Sequence, residues 1–213
     1  MSTEDRPAPR GGRADKRAMI LDGALRVFAR SGYAGAGIDG IAKEASVSTR
    51  TIYNHFRDKA ELYQAVRTAS VSFIADHHVA LIDDHLRKVD DLTADLTALA
   101  VAWSSPRDDH EPHFTLFRQD TSAIPGVSEE LEDRWHRDGP VRVRSVLAQH
   151  LERLAGEGLL RIDDPALAAL QFSVLVTLPD PSHHRSPRSP ASVERIAAAG
   201  VRTFLHGYAA PRQ

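Results

Sequence analysis

The chain contains no cysteine among its 213 residues, and this absence excludes both disulfide bonds and thiolate metal sites. No apolar run is long enough to span a membrane, and the first residues, MSTEDRPAPRGG, are polar and lack the apolar core of a signal peptide. No internal repeat is visible. These absences are compatible with a reducing compartment, and we therefore expect a cytoplasmic protein that does not enter a membrane.

Motifs for catalysis and metal binding are also missing. Ser104, Asp108 and His110 lie close together in the sequence, but no nucleophile elbow, glycine-rich phosphate loop or paired-carboxylate motif surrounds them. The 11 histidines include adjacent pairs such as His77 and His78, whose side chains point to different sides of a helix. The sequence therefore predicts no metal site, no cofactor and no enzymatic activity.

Charge is unevenly distributed along the chain. The formal net charge is only −2, which by itself does not indicate a nucleic-acid-binding protein. Residues 1–60, however, contain 11 Lys or Arg against 7 Asp or Glu, whereas residues 61–213 contain 16 against 22. A basic N-terminal part joined to an acidic remainder is the distribution expected if only one end of the protein binds a polyanion.

Residues 38–62, IDGIAKEASVSTRTIYNHFRDKAEL, predict a helix-turn-helix followed by the start of another helix. Ile41, Ala42 and Ala45 give the first helix a compact apolar face. The segment SVS then interrupts the helical spacing, and Ser48 can cap a second helix that begins near Thr49. Two helices joined by a tight turn are the arrangement that places a reading helix in a DNA groove.

The second helix of this motif has the composition of a DNA-reading element. Ile52, Tyr53 and Phe56 recur at three- and four-residue spacing and are expected to face the core. The side chains between them form hydrogen bonds of the kind that read base edges and phosphates. From the pattern we predict DNA contacts by Ser48, Thr49, Arg50, Thr51, Asn54 and His55.

Two further helices flank the motif. Upstream, apolar residues at helical spacing mark one face of a helix over about residues 13–31, and Gly32 follows where a left-handed residue ends a helix. Downstream, Asp58 and Glu61 have the spacing of a capping box and predict the start of a long helix. The upstream helix and the two helices of the motif are therefore expected to form a three-helix module, and the downstream helix begins the larger domain.

The segment ILDGALRVFARSGYAGAGIDGIAKEASVSTRTIYNHFRDKAEL resembles the N-terminal DNA-binding domain of the TetR family of bacterial transcriptional regulators, over about residues 18–64. Its specific parts are VFARSGY, IAKEASVS and TIYNHFRDKAEL. The resemblance implies phosphate contacts by Tyr53 and Lys59, a homodimer, operator DNA as a partner and a small-molecule effector. Where the family usually places Ser or Thr at the start of the second helix, this chain has Ala36 and Gly37.

The remainder of the chain shows helices separated by short breakers, without the alternating pattern of strands. The breakers include Pro125-Gly126 and the segment DPSHHRSPRSP, and Gly139-Pro140 is expected to kink the helix that it interrupts. The predicted helices lie near residues 58–88, 91–104, 109–121, 127–157, 164–178 and 190–208.

The last two predicted helices carry more apolar surface than a small body needs, so we interpret the surplus as a dimer interface. The TetR resemblance implies the same arrangement, a four-helix bundle formed by the last two helices of each protomer. The predicted seam consists of Leu175, Val193, Ile196, Gly200, Val201, Phe204 and Leu205.

The region from about Asp90 to Leu178 also resembles the AefR-like type of ligand-binding domain, chiefly in DGPVRVRSVLAQHL and LLRIDDPALAALQF. Bulky residues on several predicted helices are candidates to line an apolar cavity, although ordinary core packing is the alternative for each aromatic side chain. We predict a ligand site lined by Trp103, His113, Phe117, Trp135, Arg142 and Phe172, with an uncharged or weakly acidic apolar ligand.

The predicted architecture is all-α, with a disordered arm over residues 1–12, a helix-turn-helix DNA-binding domain over 13–57 and a ligand-binding and dimerisation domain over 58–213. The predicted function is a homodimeric repressor that a small apolar or aromatic ligand releases from double-stranded operator DNA. Three alternatives stay open: a constitutive DNA-binding regulator, a helical enzyme, and a protein-interaction module that has lost DNA binding. The hydrogen-bonding face around Arg50 argues against the last of these.

Overall fold

The computed structural model describes residues 11–105, 110–118, 129–177 and 189–210, and within them the chain forms ten α-helices and no strand. A single isolated bridge pairs Leu160 with Ala209. The helices are α1 Gly11–Gly35, α2 Ile38–Glu44, α3 Thr49–Tyr53, α4 Lys59–Leu86, α5 Leu92–Ser104, α6 Glu111–Arg118, α7 Glu129–His136, α8 Arg142–Gly156, α9 Pro165–Thr177 and α10 Pro190–Tyr208.

The all-α prediction is confirmed, and the helix starts follow side-chain caps in the sequence. The carboxylate of Asp91 accepts a hydrogen bond from the Ala94 N–H at 3.0 Å and so caps α5, and the hydroxyl of Ser189 caps α10 through the Ser192 N–H at 3.3 Å. Within the described ranges, no helix is long and apolar enough to cross a membrane.

The predicted helix over residues 127–157 is interrupted in the structure by a π-helical turn, Arg137–Val141, between α7 and α8. Pro140 lies inside this turn. Proline has no N–H to donate, and its ring crowds the carbonyl four residues earlier, so a regular α-helix cannot continue through it. The expected kink at Gly139-Pro140 therefore takes the form of a wider π-helical turn.

The first compact unit comprises the chain up to Val71 together with residues 111–132. Its core joins α1, α2, α3 and the start of α4, and α6 contributes Leu116, which is buried. The largest buried side chains of this core are Ile20, Phe28, Ile41, Ile52, Leu62 and Tyr63. The unit therefore includes the predicted three-helix module and adds to it a helix from much later in the chain.

The second compact unit comprises residues 72–110 and 133–213. Its core is formed by α8, α9 and α10 with parts of α4 and α5, and Phe172 packs edge-to-face on Phe204 with ring centroids 5.3 Å apart. A Cβ atom at Gly200 would lie 2.5 Å from the carbonyl oxygen of Leu175. Glycine at this position therefore lets α10 cross α9 at close range.

The two units do not follow the predicted linear division into residues 13–57 and 58–213, because α6 groups with the N-terminal helices and α4 contributes residues to both units. For the predicted arm over residues 1–12, the structure describes only Gly11 and Gly12, which belong to α1. Residues 1–10 lie outside the described part of the chain. The sequence pattern could not show this grouping, because helical periodicity says nothing about which helices pack together.

The predicted dimer seam needs correction. Val201 and Phe204 are 0% and 1% exposed in the single chain, Val193 and Gly200 are also buried, and Gly200 lies at the crossing of α10 with α9. These four residues have no surface left for a second copy of the chain. Leu175, Ile196 and Leu205 are only partly exposed. Most of the apolar stripe of α10 therefore packs within its own protomer.

Candidate nucleic-acid interface

The turn between α2 and α3 is held by main-chain hydrogen bonds. The N–H of Ala45 donates to the Ile41 carbonyl at 2.9 Å, and the N–H of Val47 donates to the Ala42 carbonyl at 2.9 Å. Between them Ser46 has a positive φ of 54°, which is uncommon for a residue with a side chain. The predicted break in helical spacing at SVS is thus a tight left-handed turn.

Gly23 allows α1 to approach this turn closely. A Cβ atom at position 23 would lie 2.7 Å from both the main-chain nitrogen and the Cβ of Ala45, closer than packed atoms allow. Gly23 belongs to none of the three specific motifs VFARSGY, IAKEASVS and TIYNHFRDKAEL. A glycine within the apolar pattern of a predicted helix is the signal that marks such a contact.

The recognition helix α3 has one buried and one exposed face. Ser48 caps it, because its Oγ accepts a hydrogen bond from the Thr51 N–H at 3.1 Å, and it also pairs with the Thr51 hydroxyl at 2.8 Å. Ile52 and Phe56 are buried as predicted, whereas Tyr53 is 55% exposed. The expectation from periodicity that Tyr53 faces the core is therefore wrong.

The structure leaves most of the predicted DNA-contacting side chains accessible. Arg50, Tyr53 and Asn54 are exposed, and Thr49 and His55 are partly exposed. The α3 face, defined here by these five residues, presents a guanidinium, a phenol, an amide, a hydroxyl and an imidazole. Such groups are able to read base edges and to bind phosphates.

Lys59 has structural partners that the sequence did not reveal. Its Nζ donates to the carbonyls of Tyr33 at 2.9 Å and Ala36 at 3.0 Å, and it lies 4.5 Å from the centroid of the Tyr33 ring. The ammonium therefore ties the first residue of α4 to the end of α1 and the residue before Gly37. An ammonium has three N–H groups, so the predicted phosphate contact stays compatible with this role.

The start of α4 is capped as the sequence predicts. The Asp58 carboxylate accepts from the Glu61 N–H at 2.8 Å, and the Glu61 carboxylate accepts from the Arg57 N–H at 2.8 Å. The hydrogen bond from the Glu61 N–H, followed by the Arg57 guanidinium, lowers the pKa of Asp58. By contrast, Gly37 begins α2 without a side-chain cap, so no hydroxyl is present there to bind a phosphate.

His55 at the end of α3 lies among cations. Partial burial lowers its pKa most, and the positive charges of Arg13, Arg17 and Lys16 lower it further. The guanidinium carbon of Arg17 lies 5.3 Å from the ring centroid of Phe56, the next residue in the chain. The start of α1 therefore brings positive charge to the end of the recognition helix.

Five of the six predicted ligand-binding residues have side chains in the described part of the chain. His113 belongs to the first unit and hydrogen-bonds Ser70, with Nδ1 and Oγ 3.0 Å apart. Phe172 is buried in the core of the second unit, and Arg142 forms an ion pair with Asp76 at 2.7 Å. The shared ligand site stays a prediction.

The remaining predicted ligand residues are Trp103, Trp135 and Phe117. Trp103 stacks on His78 with ring centroids 4.6 Å apart, whereas the Trp135 ring lies 5.0 Å from that of its neighbour His136. The side chain of Phe117 lies outside the described residues. A solvent-open groove of about 710 Å³ runs along α5, but none of the six residues lines it.

A cluster of rings in the second unit was not predicted. The ring cluster consists of Phe73, His77 and His78 on α4, Trp103 on α5, and His110. His110 packs edge-to-face on both Phe73 and His77, with centroids 4.8 and 4.7 Å apart. Burial, followed by the charge of His77, lowers the pKa of His78 to about 4. In the part of the chain that is described, no group of three side chains has the arrangement of a metal site.

Two families match separate parts of the chain. Residues 20–66 match the bacterial regulatory proteins of the tetR family, and residues 111–210 match the C-terminal domain of AefR-like transcriptional repressors. The first match includes the helix-turn-helix and the start of α4, and the second includes α6 to α10. Together the two matches take up more than half of the chain.

Individual proteins are similar as well. The HTH-type transcriptional activator FasR of Mycolicibacterium smegmatis is 33% identical over 121 residues, which are 56% of this chain and 53% of that protein. The chain thus spans about half the length of this relative. The crystal structure of a TetR-family transcriptional regulator from Mesorhizobium loti superposes with a TM-score of 0.77 at 25% identity, covering 95% of this chain and all of the other.

A second solved structure, the flavonoid-responsive regulator FrrA, superposes with a TM-score of 0.56 at 25% identity, covering 94% of this chain and 100% of that one.

Proposed function

Because the chain belongs to the TetR family of bacterial regulatory proteins, we propose that it is a DNA-binding transcriptional regulator, most simply a homodimeric repressor of the bacterial cytoplasm. The match of residues 111–210 to AefR-like repressors supports repression. The similarity to FasR, an activator, makes activation the alternative direction of control. In either direction, the primary partner is double-stranded operator DNA.

The observation that carries this proposal is the α3 face. Ile52 and Phe56 fix one side of the helix in the core, while Arg50, Tyr53 and Asn54 are exposed beside it. A rigid helix with hydrogen-bonding side chains on its outer side is what direct reading of a major groove requires. In a dimer, two such helices read half-sites about 34 Å apart, which is roughly one turn of DNA.

A binding selection on random double-stranded DNA tests the proposal. We expect the full chain to enrich a palindromic or nearly palindromic sequence, because a two-fold dimer reads two equal half-sites. Arg50→Ala should cost about 1–3 kcal/mol of binding free energy on the selected operator and relax the preference at one base pair. Arg161→Ala, which removes an exposed arginine of the second unit, is the matched control.

If the wild-type chain enriches no sequence at any salt concentration that permits binding, the proposed function is wrong. An equal loss of affinity of the Arg50→Ala variant for all operator sequences would retain DNA binding but assign Arg50 to a phosphate.

The dimer is proposed to form through an exposed face of α9. Leu167, Leu170 and Val174 are 46%, 42% and 49% exposed and recur at the spacing of one helical face. Three large apolar side chains in one stripe are more than scattered exposure accounts for. The partly exposed Ile196 and Leu205 of α10 are candidates to border this stripe. A second copy of the chain, related by a two-fold axis, is the proposed occupant.

An effector is proposed to bind in the second unit at the ring cluster. Phe73 is 37% exposed, and Trp103 and His77 are partly exposed, so the cluster offers accessible aromatic surface. A flat aromatic molecule with a hydroxyl or weakly acidic group suits such a surface. FrrA is described as flavonoid-responsive, which supports an aromatic effector for a chain of this fold.

The proposed switch is a coupling between effector and operator. An effector that binds better to the DNA-free form of the dimer weakens operator binding. The loss of operator binding free energy equals the difference between the effector's binding free energies for the two forms, typically about 1–3 kcal/mol. The helix α4 is the natural carrier, because its residues up to Val71 belong to the first unit and those from Ser72 belong to the second. A constitutive regulator stays the second candidate, since none of the five described ligand candidates lines the solvent-open groove along α5.

A further inference from the structure

The first turns of α1 carry positive charge on the side of the helix that faces α3. Arg13, Lys16 and Arg17 precede the buried Ile20 by seven, four and three residues, which is the spacing of one helical face. From Ile20 onward this face is buried against the helix-turn-helix, with Phe28 among its core residues. Before Ile20 the same face is exposed.

Two contacts place these cations at the end of the recognition helix. The guanidinium of Arg17 lies over the Phe56 ring, 5.3 Å from its centroid. All three cations contribute to lowering the pKa of His55, so all three lie within electrostatic reach of that imidazole. The cations thus border the α3 face, which contains His55.

Several other arginines of the first unit form ion pairs, whereas these three cations form none among the described residues. Arg26 pairs with Asp22 at 2.7 Å and with Glu44 at 2.9 Å, Arg30 lies 3.7 Å from Glu44, and Arg57 pairs with Asp58 at 2.9 Å. Among the ion pairs of the described residues, none involves Arg13, Lys16 or Arg17.

The carboxylate nearest to these three cations in the sequence lies on another side of the helix. Asp15 precedes Ile20 by five residues, a spacing that turns it away from the face of Arg13, Lys16 and Arg17. Positive charges that repel one another and lack carboxylate partners favour a polyanion as the partner.

We propose that Arg13, Lys16 and Arg17 form a phosphate-binding patch, the α1 patch, which contacts the DNA backbone beside the bases that α3 reads. The inference rests on the proposed DNA-binding function. The patch adds affinity and fixes the orientation of the recognition helix, but it carries no sequence preference, because phosphates are the same along every sequence. Arg17 has a second role, since its packing on Phe56 joins the patch to the end of α3.

The test uses the double variant Arg13→Gln, Lys16→Gln in the full chain. Each lost phosphate contact should flatten the slope of log K against log salt by about 0.9. The double variant removes two contacts from each protomer of the proposed dimer and should therefore lose about 3.6 units of slope. The ratio of affinities for the selected operator and for operators with one changed base pair should stay the same. Thermal melting of each variant checks that the unit stays folded.

The matched control is Arg26→Gln, Arg30→Gln, which removes the same charge from the same helix on the side paired with Asp22 and Glu44. Its salt slope should equal that of the wild type. An unchanged slope for the Arg13, Lys16 variant overturns the inference, and so does equal flattening in both double variants, because total charge then explains it. Loss of discrimination between operators overturns it too. If the wild type itself binds no selected DNA, the proposed function fails instead.

Discussion

Lys59 has structural contacts and is also predicted to bind a DNA phosphate. Its ammonium donates to two carbonyls, of Tyr33 and Ala36, and covers the Tyr33 ring. Hydrogen bonds from a charged group contribute about 1.5–3 kcal/mol each when buried, and partial exposure reduces that value. We predict that Lys59→Met lowers the free energy of unfolding by about 1–2 kcal/mol, because the carbonyls lose their donor while the aliphatic packing stays.

Urea unfolding of the DNA-free protein measures this change, with Lys43→Met as the control for an exposed lysine on α2. If the predicted phosphate contact also exists, the salt slope of operator binding should flatten by about two units, because the contact is lost from both protomers of the proposed dimer. A variant with unaltered unfolding and a flatter slope would make Lys59 a DNA contact alone.

His78 gives the second unit a pH-dependent stability. Its pKa is about 4 in the folded protein, because burial disfavours the charged imidazole and His77 repels it. An unfolded histidine has a pKa near 6.5, so between these values the unfolded chain binds more protons. We therefore predict that the free energy of unfolding falls as the pH is lowered from 7 to 4, by up to about 3 kcal/mol from this residue.

Urea unfolding at several pH values tests that prediction. His78→Phe preserves a flat ring against Trp103 and should show a smaller loss over the same range, whereas His136→Gln, an exposed control, should behave like the wild type. Identical pH profiles for wild type and His78→Phe would show that other groups cause the acid loss.

The sequence predicts the burial or capping role of some residues but not of others. The buried Ile52 and Phe56 and the caps Ser48 and Asp58 follow from local spacing, because each depends on neighbours within one helical turn. Tyr53 does not, since apolar spacing alone cannot tell the edge of a core from its centre.

At the scale of helices, the apolar residues of α9 and α10 pack the two helices together and also leave an exposed apolar face on α9. Gly200 lies so close to Leu175 that a Cβ atom would come within 2.5 Å of its carbonyl oxygen. We predict that Gly200→Ala destabilises the protein by about 1–3 kcal/mol, the cost of overpacking a rigid contact. Thermal unfolding measures it, with Gly207→Ala as the control, because nothing lies within 4 Å of a Cβ atom there. Equal melting temperatures for the two variants would contradict the close approach.

The outward side of α9 gives the prediction for assembly. Leu170→Glu places a charge in the middle of the proposed seam, and the two-fold axis puts it there twice, so the dimer should dissociate to monomers. Leu159→Glu changes another exposed leucine, 37% exposed, and should remain dimeric. Sedimentation of the two variants at equal concentration decides between them, and a Leu170→Glu dimer would place the interface elsewhere.

The sequence predicts where these helices lie better than it predicts which helices they pack against. The breakers and caps locate the starts of α4, α5, α6, α9 and α10 to within a few residues, since proline, glycine and capping side chains act locally. The α7 and α8 helices were predicted as one kinked helix. The stripe of Val193, Val201 and Phe204 was recognisable, but its partner was not. Burial against its own protomer and burial against a second copy leave the same pattern in a sequence.

For the whole molecule, the sequence predicts the fold class and the helix-turn-helix but not the grouping into units. The α6 helix contributes Leu116 to the core of the first unit, although more than 40 residues separate it from Val66 of that core. Similarly, the ring cluster joins α4, α5 and His110 through contacts that no periodic pattern marks. The sequence could not single out a ligand site, because large aromatic side chains such as Phe172 fill cores as readily as they line cavities.

The effector proposal yields a prediction that involves both units at once. A panel of flavonoids and other planar phenols, screened by thermal shift, should contain compounds that raise the melting temperature, because any ligand of the native state does so. The same compounds should release operator DNA over the same concentration range. Trp103→Ala should weaken both effects, whereas Trp135→Ala, which removes the other tryptophan from outside the ring cluster, should retain them.

Results that contradict the effector prediction distinguish between another effector site and a constitutive regulator. Compounds that stabilise both tryptophan variants as well as the wild type would move the effector site away from the ring cluster. If every stabilising compound leaves operator binding unchanged, ligand and DNA affinities are uncoupled. The constitutive regulator then takes the place of the effector-controlled repressor, since a ligand with no differential affinity for the two forms shifts no equilibrium.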